Sequence, residues 1–385
     1  MNITALFAGV GGLELGLRAA GGETLLTCEI WPPAAQILRE KYGAPHHDDV
    51  ADLSAIPQDT DLLTAGFPCQ DLSQAGRTAG IGGRKSGLVD HVFRLIDGSR
   101  VPLVVLENVS FMLSLDRGAA MQRLTDAFEA RGFRWAYRTV NSLAFLPQRR
   151  ARVFFVASRG DLAPEDVLFA DEAEPQARET TLTSHAHGFY WTEGTRGLGW
   201  APDAVPTLKN GSAIGIPSPP AIVMPGGAVI TPDIRDAERL QGFPEDWTAS
   251  APPRLRWSLV GNAVTVPVAA WLGARLAAPG RHDPARDRPF APLRGFPPAA
   301  RFDGAQRFTV EIGAFPVWRG RAPLHRFLRH EGAPLSPRAT AGFLSRAEKS
   351  SLRFAPGFLD ALRDHLDRMR ASGAREQRPR LQAEA

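Results

Sequence analysis

The sequence predicts an α/β protein: a doubly wound, mostly parallel central sheet, a small lobe inserted late in it, and a C-terminal extension. Three observations carry this. Residues 1–160 alternate apolar runs with amphipathic segments, the pattern of βαβ units. A glycine-rich turn, Phe7-Ala8-Gly9-Val10-Gly11-Gly12, follows the first apolar run and opens a helix. Near residue 161 the periodicity gives way to Gly, Pro, Thr and aromatic residues.

The elements follow in order. Asn2 to Phe7 reads as a strand, and about Leu13 to Ala20 as a helix. Thr24 to Glu29 is the next strand, and Pro33 to Tyr42 the next helix. Asp61 to Ala65 is a strand and Leu88 to Asp97 a helix. Leu103 to Leu106 is a strand, and Gly118 to Arg131 an amphipathic helix. Arg134 to Asn141 and Arg152 to Ala157 are strands. Thr231-Pro232-Asp233 reads as a helix cap, followed by a helix to about Leu240, and another helix runs from about Pro267 to Leu276. Beyond Pro279 the chain is rich in Pro and Arg and reads as a linker. Strand-like Phe308 to Ile312 and Phe315 to Trp318 follow, then a last helix over Gly357 to Arg370. The expected division is a catalytic core over 1–160, a small lobe over 161–235, a return to the core over 236–278, and the linker and extension over 279–385.

Composition narrows the class. The chain has 385 residues, 44% of them hydrophobic, enough for two or three domains of about 100–200 residues each. Its two cysteines, Cys28 and Cys69, exclude a disulfide scaffold and fit a reducing compartment. The first residues have no basic secretory region, and no apolar run approaches the roughly 18 residues of a membrane span. The net charge of +4 permits a polyanionic partner. The cations are nearly all arginines, which suit bidentate phosphate and guanine contacts; a GC-rich genome would give the same bias.

Glycines let a backbone approach a ligand closely, and Glu29 lies at a spacing from which a carboxylate reaches ribose hydroxyls. Those two features alone also fit a nicotinamide enzyme. A cysteine in Gly66-Phe67-Pro68-Cys69-Gln70, directly after a strand, is placed as a rigid nucleophile would be. Glu107-Asn108-Val109 and Gln148-Arg149-Arg150-Ala151-Arg152-Val153 add a carboxyl and two arginines, Arg150 and Arg152, on one face of a strand. Further on stand Arg239-Leu240-Gln241-Gly242-Phe243-Pro244 and Gly261-Asn262-Ala263-Val264.

In this order the motifs resemble the family of S-adenosylmethionine-dependent DNA cytosine-5 methyltransferases, over about Asn2 to Leu276. The resemblance implies that Cys69 adds to cytosine C6, Glu107 protonates N3, and Arg152, with Arg150 second, neutralises O2. It implies S-adenosylmethionine as cofactor, with Phe7 on adenine, Gly9, Gly11 and Gly12 near the methionine portion, and Glu29 on the ribose. Asp49 or Asp48 would hold the adenine amine, and Val50, Leu88, Asn262 and Val264 would complete the pocket. Two positions depart from the family pattern: Trp31 where it often has Asp or Asn, and Asp48 where it often has Gly. No metal site is expected.

Double-stranded DNA is the implied substrate, with one base flipped out of the stack. Gln70, Ser73, Arg77, Arg84 and Ser86 would belong to a loop that closes on DNA, and Arg235 and Arg239 would contact it from the later helix. About Leu162 to Ile230 would recognise a short target; Arg178, Arg196, Lys209 and Asn210 are candidate contacts. A cytoplasmic monomer of bacterial or phage origin is expected, working on the nucleoid. A separately acting cognate restriction endonuclease is a candidate partner. The alternatives are a transfer RNA cytosine-5 methyltransferase and an inactive DNA-binding relative.

Overall fold

The computed structural model describes residues 1–67, 87–176, 179–209, 219–291 and 295–376. Pro68, Cys69, Gln70, Ser73, Arg77, Arg84, Ser86, Arg178 and Asn210 lie outside the described residues.

The N-terminal half builds the nucleotide-binding type of sheet. Strands β1 (Asn2–Leu6), β2 (Glu23–Cys28), β3 (His46–His47), β4 (Leu62–Ala65) and β5 (Leu103–Val109) run parallel in the order β3-β2-β1-β4-β5. The order reverses at β1 and β4, so a crevice opens beyond their carboxyl ends. Next come β6 (Arg134–Asn141), β7 (Gln148–Arg149) and β8 (Ala151–Ser158). β8 lies between β5 and β6 and is antiparallel to both.

Helices α1 (Gly12–Arg18), α2 (Pro32–Tyr42), α3 (Leu88–Asp97), α4 (Ala119–Glu129) and α5 (Pro164–Leu168) connect these strands. Strand alternation sorts the apolar side chains into two cores. Leu63, Val104, Leu106 and Phe155 pack with α3 and α4 on one face. Leu62, Val105, Phe154 and Val156 pack with α1 and α5 on the other.

The lobe holds β9 (His187–Phe189), β10 (Ala201–Pro202), β11 (Val205–Pro206), β12 (Ala221–Val223) and β13 (Val229–Thr231). The chain returns through α6 (Ile234–Leu240), α7 (Pro253–Asn262) and α8 (Val266–Ala277). Asp233 caps α6 as expected: its Oδ1 accepts from the Arg235 amide at 2.8 Å. α7 was not expected; Pro253 begins it. The stretch Pro253–Ala277 is apolar and long enough to cross a membrane, but α7 and α8 divide it and 72% of its most apolar window is packed inside.

The residues after 279 differ from their expectation as linker and appendage. β14 (Asp287–Pro289), β15 (Ala299–Phe302) and β16 (Arg307–Val310) extend the central sheet from β6. Pro289, Pro297 and Pro298 give this stretch a linker composition, yet two of those prolines make strand-edge contacts. Pro298 accepts from the Thr139 amide at 2.8 Å, and Pro297 from the Tyr137 hydroxyl at 2.9 Å. Residues 315–318 form no strand. After α9 (Leu324–Phe327), β17 (Ala333–Pro334) pairs with β13. α10 (Pro337–Glu348) and α11 (Phe358–Glu376) then complete the lobe core, where Phe343 and Phe358 pack on Phe189.

A chain ending at Ala278 would therefore leave β6, with the fully buried Trp135 and Tyr137, as an open apolar edge. We expect such a truncation to aggregate or to lose cooperative thermal unfolding. Calorimetry of the purified fragment checks this.

Candidate active site

A cavity of about 710 Å³ opens at the carboxyl ends of β1, β2, β4 and β5. The turn from β1 into α1 shapes its floor. Phe7, Gly9 and Gly11 all have positive φ, at 52°, 56° and 81°. For Phe7 that conformation is strained, and the turn holds it there. Gly9 alone of the three expected glycines faces free space, since a Cβ there would meet nothing within 4 Å. Gly11 and Gly12 have a different role from the one expected. A Cβ on Gly11 would stand 2.4 Å from Tyr42, and one on Gly12 2.5 Å from the Val264 carbonyl. These two glycines permit close packing under the turn, and neither lines the cavity.

Glu29 follows β2. Its Oε2 accepts from the Gly9 amide at 2.9 Å and its Oε1 from the Trp31 amide at 2.8 Å. Burial pushes its carboxyl above the usual range, and those amides pull it back. The departure at Trp31 is harmless to this grip because the backbone supplies the donor. Asp48, Asp49 and Val50 line the same cavity. Asp48 is bound by Arg39 at 2.7 Å, whereas one oxygen of Asp49 accepts from the Ala51 amide at 2.9 Å. Leu88 and Asn262 line the cavity too, and Val264 lines a smaller one beside it. Ile30, 64% exposed beside the cavity, went unremarked in the sequence. A large exposed apolar side chain directly after the glutamate was the available signal.

These features fit S-adenosylmethionine. Phe7, Ile30, Trp31 and Val50 offer apolar faces to a flat base. Glu29 is anchored with lone pairs left for a diol, and Gly9 leaves room above the turn.

The second half of the site lies where the parallel and antiparallel parts of the sheet meet. Glu107 was expected after its strand; it lies inside β5, because β8 continues the pairing and sets Glu107 opposite Phe154. Its side chain is 10% exposed, and Arg152 Nε stands 3.2 Å from Oε1. Burial raises the carboxyl's pKa, and Arg152 followed by Arg150 opposes the rise. Oε1 has no hydrogen-bond partner among the described residues. Asn108 donates to the Phe67 carbonyl at 2.9 Å, fixing the chain one peptide before Pro68-Cys69.

Arg150 differs from its expectation as a second base-facing cation. Its guanidinium donates to the carbonyls of Leu208, Gly261 and Ala263 at 3.0, 3.2 and 2.8 Å. Both terminal nitrogens join the lobe to the returning core, while the buried Nε has no hydrogen-bond partner among the described residues, and burial lowers the pKa to about 9. Gln148 supports the same junction: it donates to Gln241 Oε1 at 3.0 Å, and Gln241 donates to the Val260 carbonyl at 2.9 Å. These two buried glutamines carry the motifs' structural content.

Of the two helix arginines, Arg239 is also internal. Arg239 donates to Asp236 and to the Phe327 carbonyl, both at 2.7 Å, with only 13% of its side chain exposed. That commitment removes it from the expected DNA contacts. Arg235 pairs with Asp233 at 2.9 Å but keeps 40% exposure. Lys209 pairs with Glu193 and lies over the Tyr190 ring.

A cofactor cleft at the switch point of an α/β sheet, bordered by a buried glutamate–arginine pair, defines a nucleotide-cofactor enzyme acting on a base-like substrate. The family model for C-5 cytosine-specific DNA methylase matches residues 1–194. The chain is 42% identical to Type II methyltransferase M2.BsuMI of Bacillus subtilis (strain 168), covering 96% of this chain and 99% of that one. It is 27% identical to Type II methyltransferase M.HaeII of Haemophilus aegyptius, over 68% of this chain and 88% of that one. The crystal structure of the S. pombe Dnmt2 methyltransferase superposes with a TM-score of 0.53 at 16% identity, covering 72% of this chain and 98% of that one. The chain belongs to the C-5 cytosine-specific DNA methylase family. It is a DNA cytosine-5 methyltransferase whose methyl donor is S-adenosylmethionine.

Glu29→Ala should weaken S-adenosylhomocysteine binding at least about tenfold, because a charge-assisted contact is lost and the Gly9 and Trp31 amides are released. Isothermal titration of the full chain measures it; unchanged affinity would remove Glu29 from the ribose.

Proposed function

We propose that this enzyme methylates C5 of a flipped-out cytosine within a short duplex sequence, through a covalent bond between Cys69 and C6. The observation that carries the proposal is the buried pair of Glu107 and Arg152, 3.2 Å apart beside the cofactor cavity and adjacent to the segment that leads to Cys69.

Cytosine C5 is a weak nucleophile. The Cys69 thiolate forms a bond to C6, and the C5–C6 π electrons become available at C5. Glu107 gives a proton to N3, and Arg152 stabilises the charge at O2. S-adenosylmethionine, when bound, supplies an electrophilic methyl group. Loss of the C5 proton to water then expels the Cys69 thiolate, and Glu107 recovers its proton from N3. Cys28 takes no part: burial and the carboxylates Glu29, Asp49 and Asp48 push its thiol up to about 12.

Gln70, Ser73, Arg77, Arg84 and Ser86 are assigned to the loop that meets DNA, and Arg235 to its flank. The relatives carry Type II methyltransferase names, so the reading extends to the modification enzyme of a restriction–modification pair, or an orphan. A separate cognate endonuclease, a cytoplasmic monomer and bacterial or phage origin, with action on the nucleoid, belong to the same reading. Transfer RNA methylation is not favoured, since the Dnmt2 likeness is one of fold alone.

Base-resolution 5-methylcytosine sequencing of DNA from a restriction-deficient host expressing the chain tests this. Methylation should fall on one short motif and vanish in Cys69→Ala. Methylation retained in that variant, or none from folded wild type, would contradict the proposal.

A further inference from the structure

Among the described residues, Glu14 is the one buried carboxyl near the site that the mechanism leaves unused. It lies in the first turn of α1, directly under the cofactor turn, and is 2% exposed. Thr64 Oγ1 on β4 donates to its Oε1 at 2.9 Å. Its Oε2 has no hydrogen-bond partner among the described residues, and neither does Glu107 Oε1. Glu107 Oε1 has its ion pair with Arg152, but a buried carboxyl oxygen with neither is costly, so Glu14 Oε2 requires an explanation.

They do share a space. A cavity of about 30 Å³ is lined by Glu14 and Glu107 together, with Gly9, Gly66 and Val264 around them. One water needs roughly 10–15 Å³ of such volume and two to four polar partners. Strand alternation explains the meeting: Glu107 follows Leu103 and Val105 on the face of β5 that packs on α1.

We propose that Glu14 stores the proton that Glu107 delivers, the two carboxyls exchanging it through a water in this cavity. The proposal rests on the reading of Glu107 as the acid at N3. While Arg152 pairs with Glu107 at 3.2 Å, it favours the ionised form of that carboxyl. A cytosine whose O2 engages Arg152 weakens that pairing, and Glu107 must then hold a proton behind a base that fills the cavity. The Glu14 carboxyl passes its proton from Oε2 to the water, and the water passes one of its own to Glu107 Oε1. One proton moves, no electrons move, and the water is regenerated. Thr64 remains as donor to the Glu14 carboxylate.

The surroundings agree. Burial raises Glu14 to about 7, with only its backbone and Thr64 opposing the rise. Tyr42 of α2 lies within electrostatic reach, with its hydroxyl donating to the Gly11 carbonyl and Arg18 of α1 over its ring. From α8 the neighbours at Gly16 are Val266, Ala269 and Ala270. Glu107 faces the cavity from the sheet, and its partner Arg152 lies beyond it, in the larger cofactor cavity.

The test is the single-turnover rate of methyl transfer against pH, on a duplex bearing the mapped target, for wild type, Glu14→Gln and Glu107→Gln. Glu14→Gln should bind S-adenosylhomocysteine within about twofold of wild type and lose about tenfold in rate at neutral pH. It should regain most of that rate at about pH 5.5, where bulk protons reach Glu107 before the base fills the cavity. A wild-type profile, or a loss equal at every pH, would overturn the relay while leaving Glu107 as the acid. Wild-type rates in Glu107→Gln would instead overturn the acid reading itself. Infrared titration of the wild-type chain gives a check that does not depend on the variant folding. A buried protonated carboxyl should titrate near neutrality, and its absence would count against the relay.

Discussion

A charged guanidinium inside a protein must be surrounded by acceptors, and Arg150 sets that constraint here. It is 2% exposed and bonded to three carbonyls, from the lobe at Leu208 and from the returning core at Gly261 and Ala263. Breaking such a set leaves a buried charge unpaired, at a cost of about 3–5 kcal/mol. Two segments distant in sequence are therefore locked to the strand that carries Arg152. Gln148 and Gln241 close the same seam with amide bonds that need both partners.

The Glu107–Arg152 pair inherits its geometry from this seam. Arg152 sits opposite Val109 on β5, two residues beyond Glu107, and both side chains share the α1 face of the sheet. The cofactor side depends on a separate local device, in which Glu29 is held by amides of the glycine turn and of Trp31. Arg138 repeats the logic at the far edge. Wholly buried, it donates to the carbonyls of Leu168, Asp171 and Gly313, and so fastens the last sheet strands to the core.

The parallel half of the sheet was legible because each strand is a short apolar run bounded by turn residues, and each motif follows one. The α/β class and Leu88–Asp97 follow from that pattern directly. What escaped was non-local. Glu107 sits within a strand only because β8 comes back to pair with it. β15 is a four-residue strand among prolines, recognisable only once β6 is beside it. Arg239 looked like a surface cation because its partner Phe327 lies far along the chain. Gly11 and Gly12 looked like ligand glycines, but Tyr42 and Val264 dictate them. In each case the local residue type was read correctly, and the partner that determines its role was not local.

The measurement that tests the account most directly is trapping with a duplex whose target cytosine is replaced by 5-fluorocytosine, in the presence of S-adenosylmethionine. Fluorine leaves C5 without a removable proton, so elimination cannot complete the cycle. The account predicts a denaturation-resistant protein–DNA complex whose link maps by peptide mass to Cys69. No covalent complex on a confirmed target, or a link through another residue, would contradict it.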